Sequence, residues 1–425
     1  MSRKLVYVLG GLGLIGGCGL VPPVRAADWV TFNGSAAATG VAEEVVEPPL
    51  ELVWEFSASG GFYTTPAVVG GRVFVGSQDW NVYALDAETG QPVWIFHTGG
   101  PVYSGAFVAD GTVYIGSADG NVYALEAQTG KLRWKYPLEG LIYAPPLVYE
   151  GVVCIGPGEG NSVHGIDAQT GERRWLFPLG RRAGSALAAG EGLVFVGSYD
   201  HNLYALEPAT GRLRWQFEAH AEVDSCPAVA NGTVYLKTGD DVVFALEAQT
   251  GRLKWRRDPP EPNPVPNWSP LAVGQDRVYF GSTDGHVYAL EAQTGQEAWC
   301  FPPPYFETPG PFAAGPTLSG KVAYVSSKEG SLFALDAQTG ELLWRRAAVR
   351  PAGQGLLSGV MWPPAVAHGK VLVASLAGTV SAYRSVGGEL PGRTTEPARR
   401  GGIEGRPEAG REEGQSIFGE LDRIR

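Results

Sequence analysis

The chain has 425 residues, of which 44% are hydrophobic and 18% charged, with a net charge of −11. That length and apolar content suffice for a large core, while the acidic balance argues against a nucleic-acid binder, which needs clustered Lys and Arg to neutralise phosphate. The 60 glycines, set among aromatic and β-branched residues, favour short strands and tight turns over helices.

Residues 1–26 read as an export signal: "MSRK" is basic and Leu5 to Gly17 is apolar and uncharged. Two processing sites compete. "IGGC" ending at Cys18 has the form of a lipobox and would place a lipid on that cysteine. "PPVRA" ending at Ala26 has the small residues Val24 and Ala26 where cleavage needs them. No later stretch reaches the roughly 18 apolar residues of a membrane span, so a membrane is expected only through a lipid on Cys18. Cys154, Cys226 and Cys300 stand singly, which predicts buried free thiols rather than a disulfide framework.

Residues 27–48 lead into a repeat. "YALDAETGQPVW" (83–94) returns in close copies at 123–134, 164–175, 204–215, 244–255, 288–299 and 333–344. The tryptophans that end these phrases recur with a period of about 40 residues, the mark of a repeat architecture. Trp54 in "LELVWEF" lies one period upstream of Trp94. Each period spells four strands: in the first, 65–69, 72–77, 81–86 and 92–96, with Gly-Gly, Gln-Asp-Trp and Thr-Gly turns between them. Four antiparallel strands in every such period describe a propeller blade. The second-strand motif occurs eight times, and the last unit (380–392) has Gly392 where Trp is due. The reading is therefore an all-β, eight-bladed β-propeller over 49–386, with the Trp54 strand completing the last blade. Trp54, Trp94, Trp134, Trp175, Trp215, Trp255, Trp299 and Trp344 are expected to dock against neighbouring blades. The acidic residue of each phrase, such as Asp86, is expected to accept hydrogen bonds in the turn, and Gly90 to take its strained position.

The motif AxDxxTGxxxW, complete from Ala84 to Trp94, resembles the tryptophan-docking motif of the quinoprotein-type (PQQ-like) propeller repeats. "DWVTFNGSAAATG" (28–40) is similar to the lead-in segment of exported members. The resemblance implies an exported protein, periplasmic or envelope-associated. The family includes calcium- and quinone-dependent dehydrogenases. It also includes non-enzymatic exported propellers such as BamB of the outer-membrane barrel-assembly complex. The resemblance implies, for the dehydrogenases, long insertions between blades, an adjacent Cys–Cys pair and a Glu, Asn and Asp calcium site. Here no two cysteines are adjacent. In five blades the docking Trp also stands at one fixed distance from the end of the next second strand (54 to 76, 94 to 116, 134 to 156, 175 to 197 and 215 to 237), which leaves no room for an insertion. The expected function is a monomeric, non-enzymatic scaffold for proteins of the cell envelope, with no cofactor, no catalytic residue and no metal. The alternatives are a quinone- and calcium-dependent dehydrogenase, or a small-molecule or glycan binder.

Of the two faces of such a ring, the Thr-Gly turns occupy one. Connectors between blades and the second-to-third strand turns occupy the other, where the repeat varies. In blades six to eight the same Trp-to-strand distance lengthens (255 to 281, 299 to 326 and 344 to 374). These loops bring Trp268, Tyr305, Phe306, Phe312 and Trp362. Trp80 replaces a turn glycine in blade one, and Tyr63, Tyr103 and Tyr143 share one repeat position. Exposed Trp and Tyr favour interfaces, so these residues are the candidate partner-binding face. The rival reading is that the rings pack the channel mouth. Arg181, Arg182, Arg256 and Arg257 near this face suit acidic partners or simple solvation. Residues 387–425, rich in Gly, Arg and Glu, are expected to be disordered. They end in "SIFGELDRIR", where Ile417, Phe418, Leu421 and Ile424 form one face of a short helix that would dock on a partner or on the protein itself.

Overall fold

The computed structural model describes residues 28–156, 158, 160–184, 186–260, 269–302, 311–312, 314–346 and 359–387. The export signal with Cys18 and Ala26, most of the tail, and Trp268, Tyr305 and Phe306 lie outside the described residues.

The alternation of apolar and small residues produces strands throughout, and no helix occurs among the described residues. They form eight antiparallel sheets of four strands, arranged as an eight-bladed propeller; one sheet gains a short parallel strand, Val41–Ala42. Blade one comprises Ala67–Val69, Arg72–Gly76, Asn81–Asp86 and Pro92–His97. The first strand of each blade is the innermost, touching the first strands of neighbouring blades. The last blade is built from Ala365–Ala367, Lys370–Ala374 and Thr379–Ser385, with Leu50–Ser57 antiparallel to Thr379–Ser385 on its outside.

The repeated phrase holds adjacent blades together. Each docking indole lies opposite a small residue on its own blade, as Trp94 lies opposite Ala84. It then reaches the Thr-Gly turn of the next blade. Trp54 Nε1 donates to Ala87 O at 3.0 Å, Trp94 to Ala127 O at 3.0 Å and Trp255 to Ala292 O at 2.8 Å. The turn glycine is required twice over. Gly130 has φ 72°, and a Cβ there would stand 2.7 Å from the Trp94 ring. Asp86 accepts from the amides of Glu88 and Thr89, at 3.1 and 2.9 Å, as expected for the turn. Trp344 is the exception to docking. The last blade takes its third and outer strands from opposite ends of the chain, so it has no Thr-Gly turn. Trp344 is half-buried against the last blade and makes no such hydrogen bond among the described residues.

The lead-in segment has a role that its sequence conceals. It runs along the inner strands of most of the ring. Trp29 pairs with Val68, Val30 O accepts from Val108 N, Ala36 O from Ala189 N, and Ala37 O from Val229 N. Thr39 O accepts from Val273 N, and Val41–Ala42 pairs with Thr317–Ser319. Because inner strands line the axis of a propeller, residues 28–42 fill the channel.

Candidate functional site

The connector face is assembled from the turn between second and third strands and the link to the next blade. In blade one Thr98 N donates to Trp80 O at 2.9 Å and Val102 N to Ser77 O at 3.0 Å, so turn and link form one layer. An Asp–Tyr pair, which the repeat spells as DxNxY, braces this layer. Tyr83 donates to Asp79 at 2.6 Å, Tyr123 to Asp119 at 2.5 Å, and Tyr204 to Asp200 at 2.8 Å. Asp119 also accepts from Gly99 N at 2.7 Å, tying the link from blade one to the turn of blade two. Burial, then the hydrogen bond to Asp119, pushes Tyr123 up to about 12. Burial raises the Asp119 pKa, but the hydrogen bonds from Tyr123, Asn121 and Gly99 outweigh it and hold the carboxyl below the usual range. Sequence reading missed this brace; its signal was an Asp four residues before each third-strand Tyr.

The three tyrosines at one repeat position form a row. Tyr63 meets Tyr103 edge-on at 5.3 Å between centroids, and Tyr103 meets Tyr143 at 5.5 Å. All three are half-buried, which leaves part of each ring on the face of blades one to three. Trp80 stands apart from them. It is 46% exposed, holds φ 73° and stacks on His97 at 6.1 Å.

Trp362 lies at the channel: it meets Phe32 of the lead-in segment edge-on at 5.5 Å and packs with the core of blades four and five. Phe312, grouped above with the loop aromatics, is fully buried against Phe333 and belongs to the core. Beside Phe32 a cavity of about 10 Å³ remains, lined by Asn33, Pro145, Ala186 and Cys226 among others, which is room for about one water.

On blades three to five the same face opens into a recess of about 440 Å³ lined by Asn161, Arg181, Arg182, Tyr199 and Glu222. Arg182 lies over the Tyr199 ring at 4.2 Å, and Arg181 pairs with Glu222 at 3.1 Å. Next to it, blade five places Lys237 where blades one to four and six have glycine. The fully buried Lys237 Nζ is 2.9 Å from Asp241, whose second oxygen accepts from Ser282 at 2.8 Å. This stitches blade five to blade six. The sequence showed only a lysine ending an apolar strand.

The described residues do not assemble a quinone and calcium centre. Cys154 and Cys226 are buried on different blades, and burial pushes both thiols up to about 12, so neither is a ready thiolate. Cys300 is partly exposed and likewise unpaired. Among the described residues no three His, Cys, Asp or Glu converge as a metal site. The axis, the enclosed space a ring offers to a cofactor, is filled by the chain's own residues.

The profile described as "Outer membrane protein assembly factor BamB" matches residues 48–105, 82–178, 159–302 and 305–391, which is most of the chain. The chain belongs to this family. Family members and their structural neighbours share the ring. BamB from Moraxella catarrhalis superposes with a TM-score of 0.66 at 21% identity, covering 80% of this chain and 99% of that one. A europium-containing methanol dehydrogenase superposes with a TM-score of 0.71 at 17% identity, covering 85% and 98%. Quinohemoprotein alcohol dehydrogenase from Comamonas testosteroni gives 0.66 at 18%, covering 84% and 80%. At such identities these likenesses carry the fold alone. No curated protein matches the chain.

Proposed function

We propose that the chain is a non-enzymatic scaffold of the cell envelope that holds proteins together in outer-membrane protein assembly. The observation that carries this reading is the division of the ring. Its axis is threaded by residues 28–42, which bond to the inner strands of most blades, with Trp362 packed on Phe32, so the chain's own residues occupy space that a cofactor would need. Its connector face keeps a row of half-buried tyrosines and an arginine-lined recess, the residue types that anchor protein interfaces. Family membership supports the same reading, because the matching profile is named for an assembly factor.

The proposed binding face comprises Tyr63, Tyr103 and Tyr143 with Trp80. Trp268, Tyr305 and Phe306 are proposed to extend it from the loops of blades six and seven. The chain is exported, with residues 1–26 removed or Cys18 lipidated, and it works as a monomeric ring.

The deciding experiment is affinity capture from outer-membrane extracts with the wild type and with Tyr103→Ser/Tyr143→Ser. Both tyrosines are half-buried at the surface, so the variant should fold. Wild type should retain barrel-assembly components and the variant should lose them by about tenfold or more, the value of roughly 1.4 kcal/mol at an aromatic anchor. Equal retention would falsify the tyrosine face. Dye-linked alcohol oxidation after addition of quinone and calcium is the opposing test: sustained turnover would overturn the scaffold reading.

A further inference from the structure

The outer strands of a propeller are sheet edges, and an edge with free backbone groups invites another strand unless charge discourages it. Seven of the eight outer strands here carry at least one charged side chain, such as Glu55, Lys135, Arg214 and Lys254. The exception is Pro92–His97 of blade one, "PVWIFH". Its Trp94 and Phe96 point into the interface with blade two, where Trp94 docks and Phe96 meets Tyr123 at 5.5 Å. Its Val93 and Ile95 point the other way and are 45% and 55% exposed. Trp80 extends this apolar stripe through its stack on His97. The backbone is open as well: among the described residues no strand pairs with its outer side. Thr98 N donates to Trp80 O, and Asn81 lies opposite His97. By antiparallel alternation the amides of Trp94 and Phe96 face the third strand, and those of Ile95 and His97 face outward. Trp80 holds this position at φ 73°, a left-handed conformation that is strained for a non-glycine residue.

The same chain supplies an occupant. Gly387, the last described residue, leaves the final blade beside blade one. Val386 N donates to Pro49 O, directly before Leu50–Ser57. Trp54 in that strand reaches Ala87 of blade one, five residues before Pro92. The exit point and the open edge are therefore one blade apart, on the order of the 10 Å between packed sheets. Residues 388–415 span up to about 90 Å when extended, so residues 416–421, "SIFGEL", are within reach. In strand geometry Ile417 and Leu421 fall on one side, two positions either side of Gly419, which matches the side of Val93 and Ile95.

We infer that residues 416–421 add as a fifth strand to the outer edge of blade one, taking extended geometry there in place of the short helix expected from sequence, so that the tail caps the one outer strand without a charged side chain. A second copy of the chain is the weaker occupant. One six-residue edge buries much less than the roughly 1,200 Å² of a stable interface. A tethered segment needs far less, because its effective concentration is about millimolar.

The test is residue-resolved amide exchange at Ile95 and His97 in the full chain, in Ile417→Asp/Leu421→Asp and in Ile95→Lys (read at His97). A segment with a free affinity of ~100 µM would be docked about nine-tenths of the time at that effective concentration. Exchange in the wild type should then be about tenfold slower than in either variant and independent of protein concentration. A synthetic peptide of residues 414–425 at millimolar concentration should restore protection to the tail variant. Equal exchange in all three proteins would overturn the inference. So would protection that grows with protein concentration, which would assign the edge to a second copy.

Discussion

His164 shows how one residue carries information that the repeat hides. It stands in the third strand of blade three, where blades one, two, four and six have tyrosine. Tyr136 meets its Nδ1 at 3.2 Å and Ser162 its Nε2 at 3.1 Å. Burial, with the nearby Arg173 charge, lowers its pKa to about 4. A histidine whose folded pKa is depressed stabilises the fold fully above the unfolded value of about 6.5. As pH falls through that value the unfolded chain takes up a proton that the folded chain refuses. Stability is therefore lost between about pH 6.5 and pH 4, by about 1–2 kcal/mol once solvent screening of the half-buried ring is allowed for. Melting temperature followed over this window should slope in the wild type and flatten in His164→Gln; equal slopes would remove His164 as the cause. The substitution was visible in "HGID", but its surroundings were not, because Tyr136 lies on the neighbouring blade.

At the scale of the element, the repeated phrase was legible as a set of strands and turns. What it could not reveal is that indole and turn belong to different blades. Trp255 and Trp344 end closely similar phrases, "FALEAQTGRLKW" and "FALDAQTGELLW". Trp255 is 8% exposed, donates to Ala292 O and lies against Gly295. Trp344 faces the blade that has no such turn. Trp255→Ala should cost about 3–5 kcal/mol, the usual loss for a buried tryptophan, and Trp344→Ala distinctly less. Chemical denaturation of the two variants measures the difference. Equal losses would mean that packing alone, without the turn, determines the contribution. The Asp–Tyr brace is a similar case. Asp119 and Tyr123 are close neighbours in sequence, but their effect depends on Gly99 arriving from the preceding blade.

At the scale of the whole molecule, the channel is decided by a segment that lies outside the repeat, residues 28–42. Asn33 is buried there, and its Nδ2 donates to Ala38 O at 2.6 Å and to Leu271 O at 3.0 Å, pinning the plug to blade six. Asn33→Ala leaves two buried carbonyls without this donor, which should cost about 1–3 kcal/mol. It should also speed amide exchange along Ala272–Val273; unchanged exchange there would show that the plug is held by its other contacts alone. Blade number, strand content, the free cysteines and the family were determined by the sequence itself, because period, alternation and turn chemistry are local and recur often enough to be counted. The tyrosine row, the Lys237–Asp241–Ser282 stitch, the filled axis and the single outer strand without a charged side chain were decided only by the tertiary structure. Each depends on which residues the closed ring brings together across blades, and such contacts leave no periodic trace in the chain.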